Sequence, residues 1–273
     1  MKFKFIFILF SITMLLFLSI LIFLPYFFPG YSISDPFWQV NWPLILIMAL
    51  IFVGFSIFYF SNRRLFFLLE MGNWPALVRH LEDRVIQKGK FSPRLVRLLA
   101  NSYLILSDSE AVMTLENKVV IAKPGLVDEY ALIFGTARIL GKDISGAVRF
   151  FGSRKNTVKA GHKEWMNWYY GFALLLDRRY EDAGEEFSVL ARVSKNSIIT
   201  ALSSYFLSET ISRFIPVKDD EFREIASEGR KKVLKTLPLP KNWYSEVSRI
   251  SNEIHTAAIS KYMTETGQWL YQG

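Results

Sequence analysis

The sequence predicts an all-α chain in two parts. Residues 1–62 read as an N-terminal transmembrane helical hairpin, and residues 63–273 as a domain of stacked short-helix pairs. Three observations predict this. Two charge-free apolar stretches, residues 5–28 and 43–60, open the chain. Further on, a pattern of small and aromatic positions returns every 36 residues. No part of the C-terminal region shows the sustained two-residue alternation of a half-buried strand.

The first apolar stretch has 24 residues, enough to cross a hydrocarbon core of about 30 Å. The second has 18, close to the minimum length. Residues 29–42 between them read as a short loop, with Tyr31, Trp38 and Trp42 suited to the headgroup region. A cleaved signal peptide fits the first stretch poorly. The run is long for such a segment, and Pro25-Tyr26-Phe27-Phe28 is bulky where cleavage needs small residues. An uncleaved signal anchor followed by a buried core helix is a third reading. Lys2 and Lys4 precede the first stretch, Arg63-Arg64 follow the second, and the loop carries no Lys or Arg. Basic residues favour the cytoplasmic side, so this pattern puts both termini and the C-terminal domain in the cytoplasm of a bacterial-type inner membrane.

The rest reads as helices in order. Residues 65–89 form a first pair, with a turn at Gly72-Asn73 and an end at Gly89. Ser92-Pro93 starts the next helix, serine as N-cap and proline at the first position. Ser107-Asp108-Ser109 caps the following one, which ends before Pro124-Gly125. Residues 127–140 and 145–151 make a pair around Gly141-Lys142-Asp143, and residues 165–176 and 181–193 a pair around Asp177–Tyr180. Residues 198–214 form a helix stopped by Pro216. An amphipathic helix follows at 219–234, then a final helix near 243–264 after Pro238 and Pro240. The final helix reads as the C-terminal cap of the stack.

The 36-residue pattern aligns three sets of positions: Gly171, Ala183 and Phe187; Gly135, Ala147 and Phe151; and Leu99, Ala111 and Leu115. In each, the second position lies twelve residues after the first and the third four residues later. These positions and spacings resemble the tetratricopeptide (TPR) repeat, in which a small residue in helix A lets helix B approach closely. The period is two residues longer than the usual 34. The resemblance covers roughly residues 65–215 and implies a TPR-like α-solenoid. It also implies a concave face lined by the A helices. On that face the family's groove positions correspond here to Tyr103, Glu129, Leu132, Trp165, Trp168 and Phe172, with Leu175 and Leu176 beyond. TPR chaperone adaptors hold a peptide carboxylate with Lys, Asn and Arg at such positions, whereas these are largely apolar. An apolar or amphipathic helical segment, or another part of this chain, is therefore the expected occupant. The alternative is that Trp165 and Trp168 simply pack against a neighbouring helix.

Catalytic and cofactor patterns are missing. The chain has no cysteine, which excludes disulfides, thiolate metal sites and a Cys nucleophile. Gly141-Lys142-Asp143 lacks the spacing and the following Ser or Thr of a phosphate loop. His80, His162 and His255 are far apart, and none has a metal-ligand partner at helical spacing. His80 and His255 read as exposed or partly packed helix residues. The acidic run Glu181-Asp182, Glu185-Glu186 complements a helix dipole. The net charge of +8 fits attraction to anionic headgroups better than nucleic acid, since the basic clusters are short and sit at helix ends.

No enzyme activity, cofactor, metal or nucleic-acid partner is expected. The function these readings imply is a membrane-anchored scaffold or adaptor that assembles or recruits a membrane complex. Its order of parts is similar to bacterial inner-membrane TPR proteins such as the HemY type. Two alternatives stand: a periplasmic TPR component of a flagellar motor collar, and an accessory subunit of an enzyme or transporter.

Overall fold

The computed structural model describes residues 2–27, 34–156 and 160–272. Every regular element among them is helical, with no strand. The chain divides into two compact units, Met1–His80 and Leu81–Gly273.

In the first unit, α1 (Lys2–Phe27) and α2 (Ser34–Met71) pair through aromatic rings. Phe3 meets Phe66 at 5.2 Å between centroids, Phe7 meets Tyr59 at 3.8 Å and Phe10 meets Phe55 at 4.3 Å. Partner numbers fall as α1 numbers rise, so the two helices are antiparallel. Each is long and apolar enough to cross a membrane by length and composition. Large apolar side chains such as Phe5 and Leu16 on α1, and Leu50 and Ile57 on α2, stand exposed.

Two expectations are corrected here. Residues 34–42, read as loop, are already helical, and Pro43 lies inside α2 rather than at its start. The helix also does not end with the charge-free stretch. It runs on through Arg63-Arg64 to Met71, because arginine is a good helix former and nothing before Gly72 stops the helix. A charge limits a membrane span without limiting a helix. At 1.5 Å per residue the 38 residues of α2 extend about 57 Å, nearly twice a hydrocarbon core. The end of the first stretch at residue 28, and Tyr31 with the start of the expected loop, lie outside the described residues.

Gly72, at φ +62°, makes the turn that ends α2, and the Asn73 side chain caps α3 (Trp74–Glu82) by accepting from Ala76 N at 3.2 Å. A π-helical turn, Asp83–Gln87, follows and buries Val85. Gly89, also at positive φ, ends it.

The second unit continues with α4 (Pro93–Ile105), α5 (Ser109–Ala122), α6 (Gly125–Glu129), α7 (Ala131–Leu140) and α8 (Ile144–Arg154). Then come α9 (Ala160–Leu176), α10 (Tyr180–Val193) and α11 (Ser197–Phe206), which runs through a π turn, Leu207–Ile211, into the short α12 (Ser212–Phe214). The expected caps are present. Ser92 Oγ accepts from Leu95 N at 3.4 Å with Pro93 at the first position, and Asp108 accepts from Ala111 N at 3.0 Å. The expected single helix over 127–140 is instead broken at Tyr130, between α6 and α7.

The turns α4–α5, α7–α8 and α9–α10 share one backbone form. Ser107, Lys142 and Arg178 all adopt left-handed φ near +60°. In each, the next residue's N–H reaches back five residues: Asp108 N to Tyr103 O, Asp143 N to Arg138 O, and Arg179 N to Leu174 O, all at 2.9 Å. This is the Schellman helix ending, here built without glycine at the left-handed position.

Each of these turns folds a helix back on its neighbour, and the small positions decide how close it comes. A Cβ built on Gly135 would stand 2.2 Å from Phe151 Cζ, and one on Gly171 would stand 3.1 Å from Phe187 Cε1. The ring in helix B thus rests on the bare backbone of helix A in both pairs. Ala147 and Ala183 are fully buried beside these rings. Where the glycine is replaced by Leu99, the partner is the smaller Leu115, also buried. Successive helices pack in chain order, and α4, α7, α9 and α11 also touch one another in succession.

The amphipathic helix expected at 219–234 is α13 (Asp219–Thr236). It packs on α10 and α11 through Phe222, Ile225, Ala226 and Val233. The single final helix expected near 243–264 is corrected. It is α14 (Pro240–Ile250), a 3-10 segment (Ile254–Ile259) and α15 (Ser260–Gln272). Thr256 explains the break, since its hydroxyl donates to Ile250 O and Glu253 O, at 3.3 and 2.7 Å, and competes with the helical ladder.

Candidate functional site

The expected groove residues lie on α4 (Tyr103), α6 (Glu129), α7 (Leu132) and α9 (Trp165, Trp168 and Phe172), and the chain's own C-terminal segment packs over α7, α9 and α11. The 3-10 segment packs on α7, and α15 packs on α11. His255 fits edge-on to Trp165 at 5.3 Å and to Tyr169 at 5.6 Å. Tyr262 meets Phe172 at 5.5 Å and Phe206 at 5.1 Å. Trp165 retains 7% exposure and Trp168 none.

Five of the six expected groove residues are therefore inside helix packing. Tyr103 is buried and donates to Glu82 Oε1 at 2.7 Å; its burial, and after it that bond, raise its phenol far above the ordinary value. Leu132 is buried in α7. Trp168 stacks on Phe172 at 5.2 Å and tilts against Phe187 and Phe206. Glu129 alone is exposed, at the end of α6. The reading of Tyr103, Leu132, Trp165 and Trp168 as a partner-binding face does not fit their burial, which matches the alternative in which Trp165 and Trp168 pack against neighbouring helices. Side chains this large and apolar are covered wherever the chain can reach them, and here it can.

His255, read as an exposed or partly packed helix residue, lies instead in the 3-10 segment. It is buried, with its carbonyl accepting from Tyr169 OH at 2.7 Å and its Nδ1 3.2 Å from the same oxygen. Burial pushes the Tyr169 phenol far above its usual range, so it stays protonated and donates. His255 Nε2 lies 2.7 Å from Glu253 Oε2. That hydrogen bond holds the Glu253 carboxyl below its ordinary 4.5, against the opposite push of partial burial. A carboxyl depressed in the folded state contributes stability above its unfolded value, and this is lost as pH falls through the folded value. Glu253→Gln is expected to flatten the acid side of the stability profile below about pH 4.5, followed by tryptophan fluorescence of the full chain. An acid limb identical to that of the unaltered chain rules out this anchoring role.

What stays open is the far end of the face. A cleft of about 830 Å³ lies where α9, the π turn after α11, and α15 meet. Phe172, Leu175 and Leu176 from the expected groove set form part of its wall, with Tyr205, Phe206 and Trp269 opposite. Tyr180 stacks on Phe214 at 4.1 Å at one side, and Leu176 and Phe214 are exposed. The cleft is mixed in character, with Thr210, Gln268 and Gln272 also in its lining; Tyr205 OH donates to Glu265 at 3.1 Å, and Arg213 pairs with Glu209 at 3.2 Å. Tyr262 and Trp269, seven residues apart on α15, went unread in the sequence, where the final helix was expected to end near residue 264. Among the described residues no group of His, Asp or Glu is placed to hold a metal ion.

The basic cluster at residues 230–235 has a structural use. Arg230 donates twice to Leu270 O, at 2.8 and 3.1 Å, closing the end of α15. Lys232 donates to Arg192 O and Ser194 O, at 3.1 and 2.8 Å, at the end of α10. Cations at helix C-termini are favoured by the exposed carbonyls there.

The described residues form an all-helical fold with two apolar N-terminal helices, a C-terminal segment packed over α7, α9 and α11, and an open cleft beside it. Residues 111–272 match the family described as "Uncharacterised Treponema protein", and the chain belongs to that family. The chain is similar to an "Uncharacterized protein" of Treponema pallidum (strain Nichols), 28% identical over 232 residues, which covers 83% of this chain and 74% of the relative. No solved structure matches it.

Proposed function

We propose that this is a membrane-anchored scaffold in which a TPR-like α-solenoid receives an apolar or amphipathic helix of a partner protein. The open aromatic cleft carries the proposal. It is walled by Phe172, Leu175 and Leu176 at the end of the A-helix face, with Leu176 and Phe214 exposed at its rim. The solenoid reading is supported by the three matching Schellman turns and by the glycine–phenylalanine contacts 36 residues apart. The membrane reading is supported by the exposed apolar surfaces of α1 and α2. Lys4, Arg63 and Arg64 fall at one end of that antiparallel pair, which favours a cytoplasmic location for that end.

A photoreactive residue at Leu176 tests the cleft, with one at the exposed Val189 of α10 as the control. In intact cells, Leu176 is expected to crosslink a discrete partner through a helical segment, Val189 is not, and Phe214→Asp is expected to remove the adduct. Equal crosslinking from both positions, or none from Leu176, excludes the cleft as a docking site. A reporter fused after Gly273 tests location. Activity on the cytoplasmic side fits the adaptor reading, and activity outside transfers the proposal to a periplasmic assembly such as a flagellar motor collar.

A further inference from the structure

The antiparallel pairing of α1 and α2 brings Lys4 beside Arg63 and Arg64, since Phe3 faces Phe66 and Phe7 faces Tyr59. At that end the two helices enclose a groove of about 770 Å³, walled by Phe3, Phe7, Tyr59 and Phe60 and including all three cations. All three are exposed, and among the described residues none forms an ion pair. Such a groove is mainly apolar yet carries three positive charges against one negative charge at the end of the hairpin, where anionic headgroups attract basic residues. Glu70 is the one acidic residue in its lining, so the balance there stays positive. The required ligand has a compact anionic head and an apolar body. Arginine is suited to the head, because its planar fork binds phosphate through paired hydrogen bonds. A free phosphate would leave the aromatic walls uncovered, and an uncharged lipid would leave the cations unmatched.

We propose that this groove binds one anionic glycerophospholipid, its phosphate held by Lys4, Arg63 and Arg64 and the first part of its acyl chains lying on the Phe3, Phe7, Tyr59 and Phe60 rings. The inference rests on the reading of α1 and α2 as a membrane hairpin. It adds to that reading a defined site, distinct from general attraction of a basic protein to a charged surface.

The test uses the full chain in two steps. First, flotation with vesicles of pure phosphatidylcholine asks whether the chain inserts at all, and failure to float removes both the hairpin and this site. Second, native mass spectrometry of the chain from mixed phosphatidylcholine and phosphatidylglycerol bilayers reads the lipid retained. The unaltered chain is expected to retain phosphatidylglycerol over phosphatidylcholine by at least about tenfold, since each cation near an anionic headgroup contributes several-fold. Lys4→Gln with Arg63→Gln and Arg64→Gln is expected to bring that ratio near one while leaving flotation intact. Lys231→Gln with Lys235→Gln, in the other unit, is expected to leave the ratio unchanged. A floating chain with no preference, a preference that survives the triple substitution, or one lost with the Lys231 and Lys235 changes overturns the site.

Discussion

Gly135→Val is expected to destabilise the helical unit by about 3 kcal/mol, the upper part of the range for overpacked cores. A Cβ at this position meets three atoms of the Phe151 ring at 2.2 to 2.9 Å, and valine adds two methyl groups to that overlap. The ring cannot yield easily. It is fully buried, stacked on Tyr169 at 5.5 Å and set edge-on to Phe150. Relief requires α7 and α8 to separate, which loosens α9 through Tyr169. Gly171→Ala is the matched control. Its added carbon meets Phe187 at only 3.1 Å, a distance small shifts can absorb, and alanine gains about 1 kcal/mol of helix propensity over glycine. In thermal unfolding of the full chain in detergent, Gly135→Val should lower the midpoint by about 6–12 °C and Gly171→Ala by much less. Equal shifts would show that the two glycines do not set the interhelical distance.

The second large effect is expected at Trp243. It is completely buried, its indole N–H donates to Met263 O at 3.2 Å, and a Cβ on Gly267 would stand 2.6 Å from its Nε1. Trp243 therefore fastens α14 to α15 at the point where the chain turns back over the A-helix face. Trp243→Ala removes this at a cost of about 3–5 kcal/mol, typical of a buried tryptophan. The loss should be local first. Hydrogen exchange is expected to rise across residues 254–272 and in α9, where Trp165 and Tyr169 lose their cover, before it rises in α5 and α8. A uniform rise over all helices would instead mean that the C-terminal segment and the remainder unfold as one.

Local signals in the sequence located most helix ends. Ser92-Pro93, Asp108, Gly72 and Pro216 act where capping and turn chemistry predict, because these devices depend on a few adjacent residues. The close approach at Gly135 and Gly171 was legible as well, since it repeats at fixed spacing. Three features were not. Arg63-Arg64 marks a change of surroundings that the backbone of α2 ignores. The Thr256 hydroxyl bonds that break the last helix have no periodic signature. The cover over Trp165 and Phe172 depends on His255 and Tyr262, some 90 residues away, and hydrophobic periodicity reports that a residue is buried without reporting by what. Five of the residues expected to line a partner-binding face are buried instead, and what covers Trp165 and Phe172 was the part that sequence left open.

That occupant is on the same chain. The segment carrying His255 and Tyr262 is joined to α13 through Leu237, Pro238 and Leu239 and then α14, so it cannot diffuse away from the face it covers. Its effective concentration there is on the order of millimolar. A separate helix of equal intrinsic affinity would need to be present at a similar level to displace it, far above the abundance of an ordinary cellular protein. The covered part of the face is thereby closed to weak competitors, and the cleft beyond Phe172 is the part of the face that no tethered segment fills.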